Sequence, residues 1–468
     1  MLMAKQALGA ARGVMLLASL IAQPIAARAA AADGRAEAAD SLESETAPAD
    51  DSAAADGAPD WRETTLGADW GGARKRLYDA GVQIDALYTA DYLRNSGGGL
   101  QSGGAAMGHL DLIVQLDGRK LVGWQGGSAY LQVISNSGGR VNLNYVGSLM
   151  GVDNFEAPVN RSGIFQAWLQ QSFLDDKASL RVGLYPIDSE FYVTESSGVF
   201  IHPSFGIAAE AADFGTLAGP SIYATSTYGA RLRVDPDPAW YAMLAVTRGV
   251  SSNRVATAGP NLGWQQGSGS MVIGEVGVSP AKAGWLAERP GSTEFQDDGF
   301  AATSKLALGA WRFAPQFPEL VAVNAAGDPL LTTHWGAYLL GEQTVYRVPG
   351  SNRNLTAFVR YGITDGETNS IGYSVSAGAN YRGLFASREN DSFGIAATRA
   401  HVGPQGRTLL SEGVGAPLSS SAETAVEMTY RAQLAPGVIV QPVIQRIFNP
   451  SLYLPNATVA GARLQLAL

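Results

Sequence analysis

Hydrophobic and polar residues alternate with a period of two along most of the chain. In the stretch KASLRVGLY, the apolar residues Leu180, Val182 and Leu184 occupy alternate positions, and Arg181 stands between the first two. The same alternation recurs in residues 82–92, 109–118, 164–173, 227–235, 271–279, 355–363, 372–383, 424–434 and 458–468. Because successive side chains of an extended strand point to opposite faces, each segment is predicted to be a strand with one apolar and one polar face. Clusters of Gly, Pro, Asn, Asp and Ser separate the segments, as turns require.

Two architectures accommodate many strands of this kind. A soluble sandwich buries its apolar faces against each other, whereas a transmembrane barrel turns them to lipid and keeps a polar lumen. The segments have the length that crosses a bilayer, and arginines and glutamates lie in mid-strand, where a water-filled lumen tolerates them. Aromatic residues lie toward strand ends, as an interfacial girdle requires: Tyr92, Phe173, Tyr185, Tyr361 and Tyr381. These features favour an all-β fold, a transmembrane antiparallel β-barrel in which Leu180, Val182 and Leu184 face lipid and Arg181 faces water.

One helix is predicted before the first strand. In LGADWGGARKRLYDAG, Asp69 is placed to cap a helix and Gly81 to end it, with a short amphipathic sequence between them. Residues 61–81 are therefore assigned to an N-terminal helix segment, and residues 82–468 to the barrel.

The first residues have the pattern of a secretory signal peptide. Lys5 and Arg12 precede the apolar run GVMLLASLIAQPIA, and Ala27-Arg28-Ala29 offers a cleavage site. A membrane anchor is the alternative, but the run is short and is interrupted by Gln23 and Pro24. We therefore expect residues 1–29 to be removed.

Residues 30–60 contain nine acidic residues and a single base, with many alanines and no apolar face. Such a composition predicts a disordered acidic periplasmic extension, either a solvated spacer or a segment that binds the cell envelope. The whole chain has a net charge of −9, and removing this extension and the three bases of the signal peptide leaves −4 for residues 61–468. Nothing in the folded part is basic enough to indicate nucleic-acid binding. Since the chain has no cysteine, disulfides and cysteine-ligated metals are excluded.

A series of motifs, from about residue 66 to the end, resembles the carbohydrate-selective outer-membrane porins of the OprB type. They are LGADWGGARKRLYDAGVQIDALYTADYLRNSGG, QAWLQQSFLDDKASLRVGLYPIDSEF, STYGARLRV, WYAMLAVTRG, LGAWRF, GAYLLGEQTVYR, LTAFVRYG, AGANYRGLFASREND, VIVQPVIQRIFNPS and NATVAGARLQLAL. Each motif alone is weak, but ten in order, each on a predicted strand or turn, are specific.

This resemblance implies a barrel of about 16 strands in the bacterial outer membrane, with short periplasmic turns and longer outer loops. It also implies passive uptake of neutral sugars, with outer-membrane lipid and the barrel-assembly machinery as the other partners. One departure concerns the C-terminus. Such barrels commonly end in an aromatic residue that the assembly machinery reads, whereas this chain ends Leu466-Ala467-Leu468.

Strand parity indicates which polar residues line the lumen. A neutral sugar needs hydrogen-bond donors and acceptors, which arginine and carboxylate side chains supply, and an aromatic face on which to stack. The predicted pore-lining residues are Arg181, Arg231, Arg233, Arg360, Arg382, Arg431, Arg463, Asp111, Glu275, Glu342, Glu427 and, as a possible stacking face, Trp168. The alternative for each charged residue is a salt bridge that stabilises the wall, and for Trp168 it is packing beneath an inward loop. A general or anion-preferring diffusion porin is the alternative function.

Enzymatic functions have weaker support in the sequence. The four histidines, His109, His202, His334 and His401, include no pair with metal-ligand spacing. His202-Pro203-Ser204 brings two catalytic residue types together, but no G-x-S-x-G turn accompanies them, and the chain has no G-x-x-x-x-G-K-[ST] loop. We therefore expect no catalytic residues, no metal and no cofactor.

Overall fold

The computed structural model describes residues 58–156, 160–212, 221–249, 269–280 and 303–468. The predicted signal peptide and nearly all of the acidic extension lie outside these residues. The described chain forms a closed barrel of 16 antiparallel strands, which confirms the predicted fold class. The strands are β1 (Val82–Gly97), β2 (Gly103–Asp117), β3 (Gly127–Gly138), β4 (Arg161–Phe173), β5 (Ala178–Tyr185), β6 (Thr227–Asp237), β7 (Trp240–Arg248), β8 (Ser270–Val278), β9 (Ser304–Val323), β10 (Pro329–Arg347), β11 (Asn354–Thr364), β12 (Ile371–Arg382), β13 (Ser392–Val402), β14 (Ala422–Ala435), β15 (Val438–Phe448) and β16 (Ala457–Ala467).

Every strand pairs with its neighbours in sequence, and β1 closes the barrel against β16, from Leu87 opposite Ala467 to Gly97 opposite Thr458. We call the end of the barrel with the start of β1 and the end of β16 the terminal end, and the opposite end the loop end. In sequence, the connections between β3 and β4, β5 and β6, β7 and β8, and β13 and β14 are long, and each joins strand ends that lie at the loop end. Most connections at the terminal end are short, and the 25-residue stretch between β8 and β9 lies mostly outside the described residues.

Burial alternates along the strands as the sequence pattern predicts. Leu180 and Val182 are exposed on the outer face by 42 % and 51 %, whereas Arg181 is 7 % exposed and points inward. Leu184 differs from this prediction, because it is almost fully buried. Phe165 differs too: a register shift in the β3–β4 pairing skips this residue, and both Phe165 and Gln166 are buried. A β-bulge of this kind cannot be read from a strict two-residue period.

Within the described residues, five short α-helices accompany the barrel: α1 (Trp61–Thr64), α2 (Ala73–Asp79), α3 (Gly118–Val122), α4 (Ala209–Ala212) and α5 (Pro404–Val414). The predicted N-terminal helix is present as α2. The Asp69 carboxylate accepts a hydrogen bond from the Lys75 N–H at 2.8 Å, although the capping residue itself is Gly72. No helix in the described ranges is both long and apolar enough to cross a membrane.

The segment that contains α1 and α2 packs against the strands that close the barrel. Arg74 is buried, and its guanidinium lies 2.7 Å from the Asp85 carboxylate of β1. The Leu66 N–H donates to the Ala467 carbonyl, and the Leu468 N–H donates to the Ala86 carbonyl. The N-terminal segment and the last residue of the chain therefore both bond to the closing strands at the terminal end.

Candidate functional site

Two connections at the loop end fold into the lumen. We call residues 139–156 inner segment 1, and residues 186–212 together with 221–226 inner segment 2. Inner segment 2 leaves the wall at β5 and reaches the inward faces of strands as distant as β14, so it crosses the barrel. The two segments contact each other, since the Asn154 N–H donates to the Ile201 carbonyl at 3.0 Å. Together they narrow the lumen, as the inward loops of porins do.

Three of the predicted lining residues are glutamates that bind inner segment 2. Glu342 accepts from the N–H groups of Glu195 and Ser196 at 3.0 and 2.5 Å. Glu427 accepts from the N–H groups of Ile201 and His202 at 2.8 and 2.7 Å. All of these wall carboxylates are nearly fully buried. They satisfy backbone donors that would otherwise lack partners, so they anchor the segment.

Glu275 has the same role on β8. Its carboxylate accepts from the Tyr192 N–H of inner segment 2 at 3.3 Å and from the hydroxyls of Tyr241 and Tyr338 at 2.5 and 2.6 Å. Lys305 lies 3.6 Å away.

Predicted arginines on β11 and β16 also hold the inner segments. Arg360 donates to the hydroxyls of Thr194 and Ser197 and to the Gly206 carbonyl of inner segment 2. Arg463 forms a buried ion pair with Asp91 at 2.7 Å and donates to the Asn154 side chain of inner segment 1 at 2.6 Å.

Asp111 lies in a buried network on β2. It accepts from Gln132 at 2.5 Å and pairs with His109 at 2.8 Å, and the Tyr223 hydroxyl of inner segment 2 reaches the other His109 nitrogen at 3.0 Å. Of the remaining predicted arginines, Arg431 is buried on β14 and Arg382 is half-buried at the end of β12.

A different arrangement occupies β4 to β9. Arg231 binds the Glu190 carboxylate at 2.5 Å, and Arg181 lies 3.6 Å from the same group. Arg233 pairs with Asp235 at 2.6 Å. We call this set the charged wall, and it consists of the cations Arg181, Arg231, Arg233 and Lys305 and the carboxylates Glu190, Asp235 and Glu275. Its four positive charges face three negative ones, so the surface is nearly neutral.

Trp168 lies beside the charged wall, between Tyr130 and Arg181. Its ring stacks on Tyr130 with a centroid distance of 5.0 Å, and the Arg181 guanidinium lies 3.7 Å from its centroid. Neither ring face is open to a sugar. A Cβ atom at Gly183 would lie 2.6 Å from the Trp168 Cβ, so the missing side chain of Gly183 makes room for this tryptophan.

Gln170 connects the two arginines of the wall. Its carbonyl oxygen accepts from Arg181 Nε at 3.1 Å and from Arg231 at 2.9 Å. Its side chain is half-buried. With the oxygen oriented by two cations, the amide nitrogen is left as the donor of this residue.

The ionisation of Glu190 follows from its neighbours. Burial raises the pKa of this carboxyl, but the charges of Arg181 and Arg231 outweigh burial and lower the pKa to about 2. Glu190 is therefore charged at physiological pH. Strand parity could not identify it, because Glu190 lies after β5 in inner segment 2; the only signal is its place in the motif YPIDSEF.

His202 and Ser204 do not form a catalytic pair. The His202 Nδ1 atom accepts from the Ser204 backbone N–H at 3.3 Å, and burial lowers the pKa of the imidazole to about 3. Across the ranges that the structure describes, no three His, Cys, Asp or Glu residues form a metal-binding group.

Comparison with known proteins gives consistent results. Residues 101–468 match the family described as "Carbohydrate-selective porin, OprB family". The chain is 22% identical over 421 residues to Porin B of Pseudomonas aeruginosa, covering 85% of this chain and 90% of that protein. It is 22% identical over 432 residues to the putative porin QuiX of Acinetobacter baylyi, covering 86% and 93%. The high-pH structure of Pseudomonas putida OprB superposes with a TM-score of 0.74 at 18% identity and covers 87% of this chain and 99% of that chain.

Proposed function

Because the chain belongs to the OprB family of carbohydrate-selective porins, and is thus a carbohydrate channel of the bacterial outer membrane, we propose that sugars pass along its charged wall. The observation that carries this proposal is the compensation of charge on the wall. Arg231 pairs with Glu190, Arg233 with Asp235 and Lys305 with Glu275. Compensated charges offer donors and acceptors with a weak net field, which suits a neutral solute with many hydroxyls better than an anion.

Asp235 and Lys305 of the charged wall and Gln170 beside it are half-buried polar residues, and we infer that a solute reaches them from the lumen. Gln170 presents an amide donor, and Asp235 presents a carboxylate acceptor that Arg233 orients. The buried arginines act behind them by fixing their orientation. The solutes are mono- and small oligosaccharides, and no bond is made or broken during their passage.

A substitution at Gln170 tests sugar binding without changing the charge of the lumen. Gln170→Leu removes a donor without changing the net charge of the wall. We expect uptake of a neutral hexose at low concentration to fall about 2- to 10-fold in liposome swelling, the loss that one hydrogen bond carries. Ion conductance in potassium chloride should change little. Gln115→Leu, on another half-buried glutamine of the barrel, is the control and should leave both quantities unchanged.

Arg181→Ala tests the opposite case, in which the charge of the wall changes. It removes one positive charge and the guanidinium over Trp168. We expect conductance to rise, anion preference to fall and sugar flux to saturate at higher sugar concentration. Large unselective conductance with slow sugar entry in the unmodified protein would instead support a general or anion-preferring porin.

Two further proposals concern the ends of the chain. We propose that the barrel-assembly machinery inserts this barrel into the outer membrane, where Leu466 and Ala467 of β16 pair with Tyr88 and Leu87 of β1. Residues 1–29 as a cleaved signal peptide and residues 30–60 as a periplasmic spacer also remain predictions. Deleting residues 30–60 should leave the heat-modifiable folded band on a gel and the conductance nearly unchanged.

A further inference from the structure

Among the described side chains, three exposed arginines on β1, β13 and β15 point outward near the loop end of the barrel. They are Arg94 on β1, Arg446 on β15 and Arg399 on β13, and all three are exposed. Their side chains alternate with inward, buried neighbours, as Arg94 does with Leu93 and Asn95. The arginines occupy every second strand, so neighbours around the wall are about 10 Å apart laterally. We call these three residues the arginine arc.

The strands between the arginines carry hydroxyl groups. Arg446 donates to the Thr458 hydroxyl on β16, and Arg399 donates to the Thr424 hydroxyl on β14 at 3.2 Å. Among the described residues, none of the three arginines has a carboxylate partner, and the outward positions of β13 to β16, β1 and β2 include no Asp or Glu. The arc is therefore an uncompensated positive surface on a wall that otherwise faces lipid.

An apolar groove lies directly beside the arc toward the terminal end. It has a volume of about 480 Å³, and its lining includes Tyr88, Tyr92, Ala106, Val440 and Ala462. The groove is bordered by Arg94, which pairs with Ala460 and Gly104, one outward position beyond Ala462 and Ala106. Small residues between two exposed tyrosines give the groove its depth.

We propose that the arginine arc and this groove bind a phosphorylated glycolipid of the outer leaflet, with its phosphates on the arginines and an acyl chain in the groove. The loop end carries most of the long connections, which in outer-membrane barrels are on the outer side. Arginine binds phosphate through a planar fork of donors, and apolar surface in lipid takes an acyl chain.

The spacing favours a lipid with two phosphates. A single phosphate occupies one arginine and leaves its neighbour, about 10 Å away, without an anion. A glycolipid with a phosphate at each end of a disaccharide can reach Arg94 and Arg446 together. The same charge complementarity argues against a second copy of this chain, because that copy would bring an identical positive arc.

The experiment uses the full-length barrel in detergent and measures lipid binding by native mass spectrometry. The probes are bisphosphorylated lipid A, monophosphorylated lipid A and phosphatidylglycerol. We expect the first to bind most tightly and the other two more weakly. The triple variant Arg94→Gln, Arg399→Gln and Arg446→Gln should weaken binding of bisphosphorylated lipid A at least about tenfold. The matched control is Arg312→Gln, an exposed outward arginine on β9, which should bind as the unmodified protein does.

A second variant tests the groove alone. Ala106→Phe fills the groove and keeps every arginine, so it should also weaken binding of the acylated probe. The heat-modifiable gel band shows that each variant is folded, and uptake of a neutral hexose should be unchanged, which separates this site from the charged wall. Unchanged lipid A binding in the triple variant, or equal binding of phosphatidylglycerol, would overturn the proposal. A dimer that the triple variant disrupts would also overturn it and assign the surface to a second copy.

Discussion

The strands from β10 to β16 and the charged wall from β4 to β9 both carry charged residues at inward positions, yet these residues have different partners. Glu342, Arg360 and Glu427 are bonded to inner segment 2, which crosses the lumen to reach them. On the charged wall, Arg231 pairs with Glu190 at the start of inner segment 2, and Arg233 pairs with Asp235 of its own strand. The same residue types therefore anchor the far part of a loop on one side and, on the other, form ion pairs that we propose orient the groups a sugar contacts. What decides between the two roles is where the inner segments run.

The largest effect should follow from removing an anchor. Glu427→Ala leaves the buried N–H groups of Ile201 and His202 without acceptors, which costs about 1–3 kcal/mol for each group. Inner segment 2 should detach, and conductance should become larger and noisier in planar bilayers. Faster amide exchange at these two residues would report the same detachment.

The control for this experiment is Glu412→Ala, because Glu412 is an exposed glutamate on α5. If Glu427→Ala behaves like this control, the anchoring role of the wall carboxylates is wrong.

A slightly smaller effect on barrel stability should distinguish the outward from the inward face of β5. Val182→Arg places a charge on the lipid face of β5 and should destabilise the barrel by about 2–4 kcal/mol if the site is near the bilayer midplane. Arg181→Leu changes the neighbouring inward position. At each urea concentration in vesicles, this variant should retain more of the folded gel band than Val182→Arg does. Val182→Leu serves as the control for the change in size. Tolerance of Val182→Arg together with unfolding of Arg181→Leu would reverse the assignment of the faces.

A moderate effect is expected from pH at Glu210, which lies on α4 in inner segment 2. Burial raises the pKa of this carboxyl from 4.5 to about 7, although the Ser374 hydroxyl and Arg360 oppose the rise. Because the folded pKa is the higher one, the folded state holds a proton that the unfolded state releases. The contribution of Glu210 to the free energy of unfolding is therefore fully present below about pH 4.5 and is lost as pH rises through 7. The loss is on the order of 1–3 kcal/mol.

Glu210→Gln should remove this dependence. The measurement is protease protection of inner segment 2 between pH 5 and 8. Equal pH dependence in the variant and in the unmodified protein would show that another group is responsible.

The smallest effect concerns Glu190 on the charged wall. Its folded pKa of about 2 is below the ordinary 4.5, so its contribution to stability is present above about pH 4.5 and is lost as pH falls toward 2. Lowering the pH from 7 to 5 should leave the sugar flux and the ion selectivity almost unchanged. A change in both within that range, absent from Glu190→Gln, would show that Glu190 is not held ionised by its arginines.

Much of the barrel could be predicted from local sequence. A period of two is a property of neighbouring residues, and it places Leu180 and Val182 outside and Arg181 inside without any knowledge of the rest of the chain. The prediction fails where the period is broken, as at Phe165 beside the bulge. The motif that precedes β1 likewise predicted α2, because its capping interactions are formed within a few residues.

Sequence alone established the class of protein, the strand faces and the set of inward charges, because alternation, turn residues and motifs are local properties. Tertiary structure decided what each inward charge does. Glu427 and Arg463 bind segments that are hundreds of residues away in the chain. Both ring faces of Trp168 are covered, one by Tyr130 and the other by Arg181. Glu190 joins the charged wall only because inner segment 2 folds back on β6. These partners are set by the course of the inner segments across the lumen, and the two-residue period of the strands contains no information about that course.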